Sequence, residues 1–172
     1  MVETDVQLPL IAEAAPLVVA AEPFVIFELP GVPIAWERAG ATIRFGHGRP
    51  YVHFYLTQEQ EAYRQQIAWG AKAAMRGREP TDRPVALLVH AFVPIPASWH
   101  WRSKQSARAG VLLPTSKPDH DNFLKVLCDA LRGIVWIDDA GVVDGRCIKR
   151  YSDKPALRCE VREFVSPRDG AI

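Results

Sequence analysis

The sequence predicts an α/β domain of the α+β two-layer kind, a small mixed β-sheet with helices packed on one face. Three observations carry this. Strand-like and helix-like hydrophobic periods interleave along the chain. One segment, Val85 to Val93, alternates as a half-buried strand does, with Val85, Leu87, Val89, Ala91 and Val93 on one side. Two further segments carry apolar residues at helical spacing behind recognisable caps. The 172 residues, 48% of them hydrophobic, suffice for one domain with its own core.

Taken in order, residues 1–22 read as an additional leader, open to disorder or to packing on a neighbour. The domain is placed at residues 23–168. Phe24 to Leu29 reads as a strand ended by Pro30 and Gly31. Residues 31–50, rich in Gly, Arg and Pro, read as a loop or ragged hairpin, and Tyr51 to Tyr55 as a short strand. A helix is expected from Gln58 to Arg76. Thr57 is its candidate cap, with Gln60 three residues on, and Tyr63, Ile67, Ala71 and Ala74 recur at its spacing.

After the Val85–Val93 strand, Pro94 and Pro96 stop the pairing. Residues 97–118 read as a long basic loop or irregular helix with Trp99, Trp101, Arg102, Lys104 and Arg108. A helix follows from Asn122 to Leu131, with Asp121 as cap, Gly133 past its end, and Phe123, Leu127, Ala130 and Leu131 as its buried stripe. Val142 to Tyr151 and Leu157 to Val165 read as strands, turned by Lys154 and Pro155.

No segment reads as a membrane span. The apolar run from Ala14 to Ala21 is short, contains Pro16, and lacks the basic flank of a signal peptide. The 3 cysteines form no C-x-x-C pair, so zinc and redox motifs are not indicated, and a reducing cytoplasmic setting is expected. The net charge is +1, but it is unevenly spread. Residues 1–22 and 119–144 each net −4, which leaves +9 on the remainder. An acidic centre in a basic body suits a polyanion held around bound cations.

The chemistry concentrates in Lys117-Pro118-Asp119-His120-Asp121-Asn122 and in Trp136-Ile137-Asp138-Asp139. If residues 119–121 are extended, both carboxylates point to one side. A strand returning beside them would bring an acid back to the same place. Clustered carboxylates raise each other's pKa unless a cation sits between them. Oxygen-only donors suit magnesium or manganese. Lys125, one helical turn beyond Asp121, is placed to neutralise a phosphate or orient a water. Spacing alone is equally compatible with Asp121 as a plain cap and Asp138-Asp139 as a polar turn. Asp129 and Asp144 read as surface acids, and His120 as structural or phosphate-adjacent.

These two blocks resemble the RusA family of Holliday junction resolvases. The family pattern is D-x-D-N-x-x-K, then a short helix ending in Asp-Ala-Leu, then Trp-x-Asp-Asp-x-x-Val-Val. Asp119 to Lys125, Asp129-Ala130-Leu131 and Trp136 to Val143 match it. Val93 to Trp99, Leu29 to Pro33 and Lys149-Arg150-Tyr151 are similar to further family segments, so the likeness spans about residues 24–165. The resemblance implies a RusA-like fold and a homodimer acting on four-way DNA junctions with magnesium, or manganese in its place. It also implies that the three essential acids are Asp119, Asp121 and Asp139, that Asp138 is a further acid beside them, and that Lys125 is the functional lysine. DNA contacts are expected from Arg102, Lys104, Arg108, Lys117, Lys149 and Arg150. The alternatives are a nuclease acting mainly on flaps or other branched DNA, and a DNA-binding protein with a degenerate site.

Overall fold

The computed structural model describes residues 18–37, 40–46 and 48–165. Its centre is β5 (Val85–Pro94), flanked by β6 (Val142–Ser152) in parallel and β7 (Ala156–Val165) antiparallel. The far edge of β7 takes β1 (Val18–Val19) and β2 (Val25–Pro30), both antiparallel. The mixed two-layer sheet expected from the sequence is therefore present. Val18 and Val19, inside the expected leader, pair with Val165 and Phe164. Residues 1–17 of that leader lie outside the described residues, as do residues 166–168.

Strand β5 is buried on alternate positions, Val85, Leu87, Val89 and Ala91, as its pattern requires. Leu157, Cys159 and Val161 of β7 face the same layer. The helices α1 (Gln58–Met75) and α3 (His120–Leu131) cover it. In α1 the Thr57 side chain accepts from the Gln60 backbone, and the Gln60 side chain accepts from that of Thr57, closing the expected capping box. Gly70 lets α1 approach β2, because a Cβ there would sit 3.0 Å from the Phe27 ring. Phe123, Leu127 and Leu131 of α3 are fully buried against the sheet together with Trp136.

Of the loop and the ragged hairpin open to residues 31–50, the hairpin forms, and it takes in the strand expected from Tyr51 to Tyr55. Strands β3 (Gly40–Gly46) and β4 (Arg49–Tyr55) form a separate two-stranded ribbon, and Gly48 before β4 takes φ +74°. Parallel β5 and β6 need a long crossover. It is supplied by α2 (Trp101–Arg108), a loop, α3 and one 3-10 turn (Asp139–Gly141). All the acids expected to matter lie on this crossover. Among the described residues, no helix is long and apolar enough to cross a membrane.

Candidate active site

Helix α3 begins two residues earlier than its sequence signals indicate. Asp119 is the residue that precedes the first turn, with an extended backbone and no side-chain capping bond. Asp121 lies inside the first turn. The alternation expected of an extended Asp119-His120-Asp121 is thus replaced by a strand-to-helix turn. Both carboxylates sit at the helix N-terminus, where the unpaired amides favour negative charge. Asp119 and Asp121 line the same cleft of about 620 Å³, with Trp36, Glu37, Lys117, Pro118 and Asn122. They also line a second hollow beside it, with His120, Cys147, Ile148 and Lys149. Neither enters an ion pair among the described residues.

The second acidic element is held differently. Asp138 accepts a hydrogen bond from the Ala140 backbone at 2.9 Å and so caps the 3-10 turn. Asp139 accepts from the indole N–H of buried Trp136 at 2.8 Å. That bond engages one oxygen and fixes the carboxyl group. Asp139 lies near Cys128 of α3. Burial pushes that thiol up to about 11, and the charges of Asp139 and Asp129 add to it. Cys128 follows Asp121 by seven residues, about 10 Å along the helix. Asp139 is not part of the Asp119–Asp121 cleft lining, and among the described residues no three His, Cys, Asp or Glu side chains gather closely enough to hold a metal ion. The donor chemistry of Asp119 and Asp121 still fits magnesium, a hard cation that keeps several waters and needs only one or two protein carboxylates.

Lys125 lies over the ring of Trp36, with its ammonium 4.2 Å from the ring centre. The Trp36 backbone N–H donates to the Asn122 carbonyl at 3.0 Å, which ties this loop to the start of α3. Trp36 and Glu37 are cleft residues that sequence reasoning passed over. The available signal was a lone tryptophan in a stretch otherwise rich in Gly, Arg and Pro.

The basic residues expected to meet DNA divide into two groups. Lys104 donates to the Ala97 carbonyl at 2.8 Å, and Arg108 forms a two-pronged pair with Asp153 at 2.7 and 2.9 Å. Lys149 donates to the carbonyls of Ser116 and Pro118, both at 2.7 Å, and so props the loop that delivers Asp119. These three are engaged within the molecule. Arg102 stacks over the exposed Trp101, and Lys117 and Arg150 are exposed. Trp99 packs edge-on against Tyr151 at 5.0 Å, in a structural rather than an open position. Residues 97–118, expected as a long basic loop or an irregular helix, hold the eight-residue helix α2, capped by His100. Asp144 is a surface acid, paired with Arg146 at 2.9 Å.

Residues 30–162 match the family described as Endodeoxyribonuclease RusA. The chain is also 33% identical over 139 residues to an uncharacterized protein, YqaN, of Bacillus subtilis (strain 168), across 80% of this chain and 94% of that protein. With the two acidic blocks on one crossover and the mixed sheet beneath them, the chain belongs to the RusA family of endodeoxyribonucleases.

Proposed function

We propose that this protein is a structure-selective endodeoxyribonuclease that resolves four-way DNA junctions by paired, magnesium-dependent phosphodiester hydrolysis. RusA-family nucleases use a divalent metal and act on branched DNA as dimers, and those family properties form the background. The observation that carries the reading is the cleft at the start of α3. There two carboxylates without ion-pair partners among the described residues stand beside exposed Lys117, with Lys125 one turn further on. Such carboxylates repel each other unless a cation joins them.

Asp119 and Asp121 would hold the metal, with Asp139 as the third acid. Bound there, the metal would stabilise charge on the scissile phosphate and lower the pKa of an attacking water. The chain's own groups do the rest. Lys125 offsets the charge gained by phosphoryl oxygens in the transition state, from a position fixed by Trp36. Asp138 keeps the 3-10 turn that presents Asp139. Lys117, Arg102 and Arg150 hold neighbouring phosphates, which supply affinity and register without reading sequence. A homodimer with two-fold symmetry offers two such sites to the two equivalent strands of a junction.

Cleavage of a four-way junction, a flap and a linear duplex, each with magnesium, tests this. Paired symmetric nicks in the junction, with the duplex uncut, are expected. Faster cutting of the flap would replace the junction reading with the broader one. Binding without cleavage under any divalent ion would make the protein a DNA-binding relative with a degenerate site.

A further inference from the structure

The β3–β4 ribbon stands apart from the sheet, and its two faces differ. Register places Ile43 opposite Val52 and Phe45 opposite Pro50, so these four share one face. Arg44 lies opposite Tyr51 and Gly46 opposite Arg49 on the other. Phe45 is 77% exposed and Ile43 66%. A lone two-stranded ribbon is marginal in water, and one that holds large apolar groups out to solvent calls for a partner.

Charge and position identify the partner. Residues 38–55 contain Arg38, Arg44 and Arg49 and no acid. Gly40 is three residues beyond Glu37 of the cleft, a reach of at most about 11 Å. The ribbon therefore rises beside the phosphate that the cleft would cut. Its strands extend about 20 Å, and a ribbon of this width enters a DNA groove. Phe and Pro are residue types that wedge between base steps, and here they form the cross-strand pair one position below the last, which is Gly46 opposite Arg49. Tyr51 covers Gly46, where a Cβ would meet its ring at 3.2 Å, which steadies the tip.

We propose that the β3–β4 ribbon is a DNA-embracing arm: Arg44 and Arg49 grip phosphates, and Phe45 inserts between bases at the branch point. This rests on the function proposed above and names the element that recognises the branch.

The test uses the full chain in EDTA, so that hydrolysis is stopped, with a four-way junction carrying 2-aminopurine beside the crossover. Wild type should raise the 2-aminopurine fluorescence on binding. Phe45→Ala should lose more than half of that rise and keep its salt dependence. Arg44→Ala with Arg49→Ala should make the slope of log affinity against log salt shallower by about 1.8, at about 0.9 per phosphate. A wild-type slope in the arginine pair, or wild-type fluorescence with Phe45→Ala, overturns the arm. Sedimentation of the free protein gives a second check. If Phe45→Ala turns a dimer into a monomer, the apolar face belongs to a second copy and the wedge is overturned. Failure of the arm leaves wild-type junction cleavage in magnesium intact, whereas failure of the nuclease reading removes it.

Discussion

Lys125 rests on an aromatic ring, not on a carboxylate, and this makes its role testable one residue at a time. The exposed Lys125 ammonium over the half-buried Trp36 ring makes a contact worth about 0.5–1 kcal/mol. Lys125→Ala should fold, bind a junction, and cut it more than tenfold slower in single turnover, a loss above about 1.4 kcal/mol. Lys125→Arg should not restore the rate, because a planar fork replaces a compact charge. Trp36→Ala should lower the rate by only about two- to fivefold, the worth of the lost ring contact. Equal rates in wild type and Lys125→Ala would reduce the lysine to a surface group. Lys149 makes the complementary case. Its bonds to Ser116 and Pro118 hold the approach to Asp119. Lys149→Met should raise the magnesium needed for half-maximal cleavage several-fold and leave junction affinity within about twofold, since a charge-assisted bond is worth about 1.5–3 kcal/mol. Weaker binding at an unchanged magnesium midpoint would return Lys149 to the DNA surface. Sequence could show that Lys149 is basic on a strand. It could not show that β6 runs beside residues 116–118, because that contact spans more than thirty positions.

At the scale of elements, legibility followed burial. Strand β5 and helix α3 each bury one face completely, so the apolar period is printed in the sequence. Helix α1 was legible from its cap as well. Helix α2 was legible only as an alternative to a loop, because only Ala107 of its eight residues is buried and no apolar stripe marks it. The ribbon read as a loop or ragged hairpin for the same reason: among its described residues, 41–45 and 49–52 are all exposed. The start of α3 was misplaced because Asp119 and Asp121 are both acceptable caps, and local propensity does not choose between them. Strand β7 adds a pH dependence that the sequence alone does not show. Burial would raise the Glu160 carboxyl, but hydrogen bonds from Arg158 and Arg162 outweigh it and hold the group below the ordinary range. A depressed folded value adds stability above the unfolded carboxyl pKa of about 4.3, and that gain is lost as pH falls through the folded value. Urea unfolding should therefore show wild type more stable than Glu160→Gln at neutral pH, with the gap closing below about pH 4. A gap independent of pH would deny the ion pair its part.

At the scale of the molecule, the sheet and its crossover act as a frame that brings distant parts of the chain to the start of α3. Trp36 arrives from the loop after β2, Lys117 from the crossover, and the Lys149 prop from β6. The family was legible because two short blocks carry the likeness. The division of labour among the basic residues was not, because it depends on which carbonyl or carboxylate each one meets after folding. Asp119, Asp121 and Asp139 are proposed to serve the metal and the reaction, while the frame is built without them. The measurement is cleavage and binding of one four-way junction by Asp119→Asn, Asp121→Asn and Asp139→Asn, with unfolding followed alongside. Each variant should fold and bind the junction at least as tightly as wild type, and none should cut it. Wild-type cleavage by any of the three, or loss of the fold in all of them, would contradict it.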